Sequence, residues 1–388
     1  MNTSFRFDIP TRLFFGSGSL AKLHEEELPG KKALLVISGG KSMRTYGYLD
    51  RVIVELREGG ADSVIFDQVK PNPTLTNVMD GAAMARKEGC DFIVGLGGGS
   101  SMDCAKAIAI AATNEGDFWD YQRGKTGKGK AFATRPLPVV AITTTAGTGS
   151  EIDPWFVITK TETNEKSGSG WVPYSYPTLS IVDPDLMMTV PPRMTAYQGF
   201  DALFHATESV INRFEDAFAE MFALQAVTYV GKYLARCVAD GSDKEARTYM
   251  AMANTLAGYY MNCTSEHSLE HELSAFHPEL PHGAGLIMIS RAYYQAMADA
   301  HACDGQMIKL AKALGREDAS QAQDFITALD DLMKACGVED LKMSDYGITP
   351  EEFPAMVASA RAMGGLFGAD PAELSDEQLL KIYQDSYR

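Results

Sequence analysis

Five short apolar runs, rich in β-branched residues, punctuate the first half of the chain: ALLVIS (33–38), SVIFDQV (63–69), DFIVGLG (91–97), PVVAITT (138–144) and LSIVDP (179–184). Their length and flanking turn residues predict buried strands. Between them, YLDRVIVELREGG (48–60) and TNVMDGAAMARKEG (76–89) carry helical periodicity. Strand and helix in alternation predict a mainly parallel sheet with helices on both faces. The grammar changes at the Pro-rich DPDLMMTVPPRMT (183–195). Beyond it long helical patterns dominate, such as EDAFAEMFALQAVTYVGKYLARCVAD (215–240) and KEARTYMAMANTLAGYYM (244–261). The expected fold is α/β plus all-α: a Rossmann-like, parallel-sheet domain over 1–185 and a helical domain over 186–388. GKTGKGKAFATRP (124–136) reads as an exposed, mobile loop, and no internal repeat interrupts the pattern.

Composition narrows the classes. A chain of 388 residues can build two cores, and 45 % apolar with 22 % charged residues describes a soluble globular protein. The net charge of −16 argues against nucleic acid or an anionic membrane as partner. Any phosphate must then be gripped by backbone N–H groups rather than by a basic surface. Six scattered cysteines without a CxxC pair suit reduced thiols in a cytosol. The opening MNTSFRFDIPTRLFFG lacks the plan of a signal peptide, and no apolar run is long enough to span a bilayer, so a cytoplasmic location is expected.

Two loops suit a phosphate-bearing ligand. GLGGGSSMDCAKAIA (95–109) follows a strand and opens a helix; its glycines allow close approach, and the helix start offers N–H groups and a favourable dipole. Alone, such a turn serves the fold as readily as a ligand. TTTAGTGSE (143–151) also follows a strand, and Thr144, Thr145 and Thr148 could bond a phosphate or ribose or simply their own backbone. A dinucleotide across the C-terminal edge of the sheet accounts for both loops together. After the first predicted strand, Gly39, Gly40 and Lys41 stand where an NAD-selective site usually carries an acid, which favours NADP over NAD.

The second half carries metal chemistry. FDALFHATES (200–209) places Asp201 and His205 at i and i+4 on one helix face, and HSLEH does the same for His267 and His271. Pro278 and Pro281 should end that second helix, putting His277 and His282 in a turn beyond it. A lone helical histidine is usually packing or surface, yet five of the seven histidines fall between 205 and 282. One carboxylate with several imidazoles suits Fe²⁺ or Zn²⁺. Spacing does not decide which of the four clustered histidines bind.

In this order and spacing, FFGSGSLAKL, PNPT, GGGSSMDCAKAIA, TTAGTGSE, VDPDLM, GFDALFHATES and HSLEH…LPHG resemble the iron-containing (group III) alcohol dehydrogenases, including butanol dehydrogenase- and lactaldehyde reductase-like members, over nearly the whole chain. The resemblance implies the dehydroquinate synthase-like fold, with a metal in the cleft between two domains. It implies metal ligands at Asp201, His205, His267 and His282, with His271 as a proton carrier near the nicotinamide. It also implies a pyrophosphate loop at Gly98, Gly99 and Ser100, with Asp103 and Lys106 matching, and a threonine loop at Thr144, Thr145 and Thr148. The implied reaction is NAD(P)-linked hydride transfer on a small aldehyde or alcohol, in a homodimer or larger homo-oligomer. Glu270 and Glu272 depart from the family habit of small or apolar residues beside His271, and the segment carrying His277 is one residue longer than usual. The competing readings are a glycerol dehydrogenase-like or dehydroquinate synthase-like enzyme on the same fold, or a metal-binding protein without catalysis. Trp155, Phe156 and Tyr259 are candidate pocket residues from their order along the chain.

Overall fold

In the computed structural model the described residues are 2, 4–259 and 261–388. Met1 and Thr3 of the opening segment, and Tyr260 near the end of one predicted helix, lie outside them. The chain forms two compact units: a sheet unit of Asp8–Thr145 with Gly149–Thr189, and a helical unit of the residues up to Phe7, Ala146–Thr148 and Val190–Arg388.

The sheet unit holds strands β1 (Arg12–Phe15), β2 (Lys32–Ser38), β3 (Asp62–Val69), β4 (Phe92–Gly97), β5 (Val139–Thr143) and β8 (Leu179–Val182) in the order β1-β8-β5-β4-β2-β3. Every neighbouring pair is parallel. Its helices are α1 (Lys22–Glu25), α2 (Ser42–Thr45), α3 (Tyr48–Glu58), α4 (Leu75–Glu88) and α5 (Gly99–Thr113). Alternation along β2 sends Leu34 and Val36 into one core with residues of α4 and α5, and Ala33, Leu35 and Ile37 into another with α3. That is why the run reads as continuously apolar. Thr74 caps α4 by a reciprocal box with Asn77, so the PNPT segment turns directly into the helix.

Three features of this unit escaped the apolar pattern, the first being the edge strand β1, RLFF. β6 (Trp155–Lys160) and β7 (Glu165–Gly170) form an antiparallel hairpin, and β7 reads EKSGSG, which has no apolar alternation. The hairpin also tethers the 124–136 loop: Thr126 donates backbone and hydroxyl hydrogen bonds to Glu165 at 2.9 Å, and Phe132 packs on Trp171 at 4.7 Å. The expected free loop is therefore held at both points.

The helical unit comprises α6 (Pro192–Ile211), α7 (Ala217–Ala239), α8 (Lys244–Gly258), α9 (Ser265–Phe276), α10 (His282–Asp299), α11 (Asp304–Ala313), α12 (Gln323–Ala335), α13 (Phe353–Arg361) and α14 (Asp376–Ser386) around one apolar core. Helix α6 is buried from Thr195 to Ile211 apart from Gln198, and α9 from Ser265 to Ala275. No helix among the described residues is long and apolar enough to cross a membrane.

Candidate active site

A helix buried all round must satisfy each polar side chain internally. Asp201, His205 and Glu208 lie at i, i+4 and i+7 on α6, and His267, Glu270 and His271 at i, i+3 and i+4 on α9, so each helix gathers its polar groups into one stripe. The two stripes meet His282. That residue is not in a turn, as the proline rule suggests, but opens α10: Pro281 is the N-cap, and its fixed φ suits a helix entry. Gly283 behind it lets α10 close on α6, since a Cβ there would stand 2.2 Å from the Tyr197 carbonyl oxygen. His277, by contrast, does sit past the end of α9. Its Nε2 pairs with Glu352 at 3.1 Å, which ties it to the start of α13.

Ring nitrogens converge on Asp201. Its Oδ1 is 3.8 Å from His267 Nε2, 3.5 Å from His282 Nε2 and 3.6 Å from His205 Nδ1. Donor atoms of Asp201, His267 and His282 all lie within 4.8 Å of one another. His205 stands at the edge of this group, its ring stacked on His267 at 4.4 Å. His271 lies beyond His282, with ring centres 5.5 Å apart, and groups with Glu270 and His282 rather than with Asp201.

Two of the three histidines around Asp201 are held from behind, and His205 is held by the same nitrogen that faces Asp201. His267 Nδ1 bonds Glu208, whose other oxygen accepts from Thr264 Oγ1 at 2.8 Å. His282 Nδ1 bonds Glu270, and His205 Nδ1 faces the Gly147 carbonyl oxygen at 3.2 Å. Such partners fix the tautomer and turn Nε2 of His267 and His282 towards Asp201. Asp201 Oδ1 and His267 Nε2 are buried with no hydrogen-bond partner. A lone pair facing a carboxylate oxygen in a dry site is a costly arrangement unless a cation lies between them.

The pKa directions agree. Burial alone would raise the Asp201 carboxyl, but His205, His282 and His267 hold it well below the usual carboxylate range. Burial also lowers His205, whereas at His267 the surrounding Cys263, Glu208 and Asp201 outweigh burial and push the pKa well up. The field that draws a proton onto His267 equally draws a metal ion. The donor set therefore fits a divalent metal.

The residues expected to bind cofactor lie in the sheet unit, with one exception. Gly39–Lys41, Gly98–Ser100 and Thr144–Thr145 follow the C-terminal ends of β2, β4 and β5, which are neighbours in the sheet. Helix α5 starts with no side-chain cap at Gly98, leaving its first turn for a ligand. Gly97 has φ 142°, and a Cβ at Gly98 would press on Thr145 at 3.1 Å. The Thr144 N–H donates to the Gly97 carbonyl at 2.9 Å, joining the two loops. Thr148 belongs instead to the helical unit. Asp103 is fully engaged by protein: it accepts from Ser150 Oγ at 2.6 Å and from the Val157 N–H at 2.9 Å. Buried Lys106 donates to Ser150, Asp153 and the Trp155 carbonyl. These two side chains brace the loop leading into β6. Of the three pocket candidates, Phe156 is fully buried in the sheet core, Tyr259 stacks on Phe222, and Trp155 is exposed.

Comparison with known proteins gives this geometry a lineage. Residues 10–184 match the family described as iron-containing alcohol dehydrogenase, and 195–387 match its C-terminal counterpart, Fe-containing alcohol dehydrogenase family, C-terminal. The chain belongs to the iron-containing alcohol dehydrogenase family. It is 35 % identical to the 1,3-propanediol dehydrogenase of Klebsiella pneumoniae over 99 % of both chains. It is 31 % identical to the NADPH-dependent butanol dehydrogenase of Clostridium saccharobutylicum over 98 % of both. A solved alcohol dehydrogenase from a halo-thermophilic archaeon of a Red Sea brine pool superposes with a TM-score of 0.93 at 35 % identity, covering all of both chains. The protein is thus a metal- and NAD(P)-dependent alcohol dehydrogenase that moves a hydride between nicotinamide C4 and an aldehyde or alcohol.

Two supporting groups of this dehydrogenase escaped the sequence reading. Glu208 lies three residues after His205 on the same helix face, and that spacing was available as a signal. Gly147 contributes only a carbonyl, which no side-chain pattern reveals. Glu270 was visible merely as a departure from habit.

Proposed function

We propose that Asp201, His205, His267 and His282 hold the catalytic metal, Fe²⁺ in preference to Zn²⁺, and that His271 is the proton carrier. The observation that carries this reading is the convergence of three imidazole nitrogens on Asp201 Oδ1, which with His267 Nε2 is buried and unpartnered, while Glu208, Glu270 and the Gly147 carbonyl hold the rings. When bound, the metal supplies Lewis acidity towards the carbonyl or alkoxide oxygen. Glu208 and Glu270 keep the His267 and His282 lone pairs aimed inward. His271 is 5 % exposed, beside His282; it takes up or delivers the alkoxide proton at an imidazole nitrogen, directly or through water. Gly98, Gly99 and Ser100 receive the pyrophosphate on the α5 N-terminus, with Thr144 and Thr145 lining its side.

NADP is the proposed cofactor in preference to NAD. The end of β2 carries Gly39, Gly40 and Lys41, and the nearest acid on β3, Asp67, is paired with Arg44 at 2.7 Å. A 2′-phosphate would meet little repulsion there. The free thiols support a cytoplasmic location, and the family resemblance supports a homo-oligomer, a dimer or larger, which sedimentation would size.

The test is steady-state kinetics over a panel of short aldehydes with NADPH and NADH, on protein whose metal is identified by elemental analysis. His267→Ala should lose metal, and His271→Ala should keep metal but lose rate. Full metal content in both variants would overturn the ligand assignment.

A further inference from the structure

Cys263 belongs to neither the helical spacing nor the family ligand set, yet it stands at the metal centre. It lies one residue before Thr264, the N-cap of α9, so the loop rather than a helix face directs its side chain. Its Sγ and one ring nitrogen each of His205 and His267 all fall within 4.8 Å of one another. A second observation marks this group as more than packing. His267 is 3 % exposed, its Nδ1 is taken by Glu208, and its Nε2 has no hydrogen-bond partner. His267 is shared between two overlapping donor groups: Asp201, His267 and His282 on one side, and His205, Cys263 and His267 on the other. The first is an oxygen–nitrogen set. The second adds sulfur, which a borderline-soft ion binds readily. The rings of His205 and His267 stack with centres 4.4 Å apart and 21° from parallel, and one nitrogen of each lies within 4.8 Å of the other and of Sγ, a spacing a single ion can bridge.

We propose that Cys263 is a sulfur ligand of the metal centre, joining His205 and His267 when a thiophilic divalent ion such as Zn²⁺ or Co²⁺ is bound. The inference rests on the metal-centre reading above. Coordination exchanges the thiol S–H bond for an S–metal bond, and the proton passes to solvent. No oxidant or reductant takes part. The consequence is a centre with two coordination modes that share His267, so that metal identity selects the ligands.

Cobalt reports the difference directly. Chelator-stripped protein is titrated with Co²⁺ to one equivalent, and its absorption is followed from the near ultraviolet through the visible. The wild type should show a near-ultraviolet sulfur-to-cobalt charge-transfer band together with visible d–d bands. Cys263→Ser should lose the first and keep the second, with far-ultraviolet circular dichroism matching the wild type. One equivalent of cobalt with d–d bands but no charge-transfer band, or a band that survives Cys263→Ser, overturns the sulfur ligand and leaves the centre standing. Failure of the wild type to take up cobalt overturns the centre itself, and the sulfur ligand with it. Should Cys263→Ser not fold, the wild-type spectrum still decides, together with alkylation of the native protein: Zn²⁺ should slow iodoacetamide labelling of Cys263, and unchanged labelling counts against the proposal.

Discussion

Glu208 and Glu270 each grip a histidine by the nitrogen turned away from Asp201, so their contribution is aim rather than contact. Replacing Glu270 by Gln should weaken metal binding about ten- to a hundredfold, read by competition with a chromophoric chelator. An unchanged affinity would mean that packing alone orients His282. Lys41→Ala should raise the KM for NADPH about tenfold, the loss of roughly one charge-assisted hydrogen bond, and leave that for NADH unchanged. Equal effects on the two cofactors would remove Lys41 from the 2′-phosphate. At this scale the sequence was readable wherever spacing and residue type coincided, as for Asp201 with His205 and for His267 with His271. It was silent on Gly147, because a carbonyl oxygen carries no residue identity. It was equally silent on Cys263, which is placed by a loop.

Among the elements, α9 is the one on which the centre hangs, and its start is anchored by a buried acid. Asp370 Oδ1 accepts from the Ser265 N–H at 2.9 Å and from Tyr293 Oη at 3.0 Å. Burial lifts this carboxyl to about 6, against the hydrogen bonds that lower it. The folded state therefore holds its proton more tightly than the unfolded chain, whose carboxyl ionises near about 4. Its contribution to stability is complete below about pH 4 and is lost as pH rises through about 6, by at most about 3 kcal/mol. Asp370→Asn keeps an acceptor oxygen and removes that titration. The difference in Tm between variant and wild type should thus shift in the variant's favour between pH 4 and 7; a difference independent of pH would show that Asp370 is ionised throughout. The elements themselves were legible where burial imposes periodicity. Strands β2 to β5 and helices α3, α4, α7 and α8 follow apolar runs that have no other way to be satisfied. The β6–β7 hairpin was not legible, since its second strand is polar and glycine-rich and is held by the 122–126 segment, while Lys106 and Asp103 hold β6, rather than by a face of its own.

Across the whole molecule, the four proposed oxygen and nitrogen ligands of the metal all lie on α6, α9 and α10, inside one unit with its own core. Removing the metal with a chelator should lower hydrogen-exchange protection in those three helices and leave β2, β4 and β5 unchanged, apart from any effect of bound cofactor. Uniform loss across both units would place the metal in a different role. The change of grammar near residue 185 was plain because a Pro-rich stretch separates two periodicities. The assignment of residues 146–148 to the helical unit was not, because three residues are too few to carry a pattern.

That small segment has a genetic consequence. The Gly147 carbonyl backing His205 is encoded more than forty codons upstream of the point where the helical unit resumes at Val190. A fragment that begins at Val190 would carry every imidazole of the centre and still lack one of its supports. Recombination between relatives at residue 190 would likewise pair one parent's histidines with the other parent's carbonyl. Exchange of whole metal centres between such enzymes therefore requires the Ala146–Thr148 tripeptide to travel with the helices.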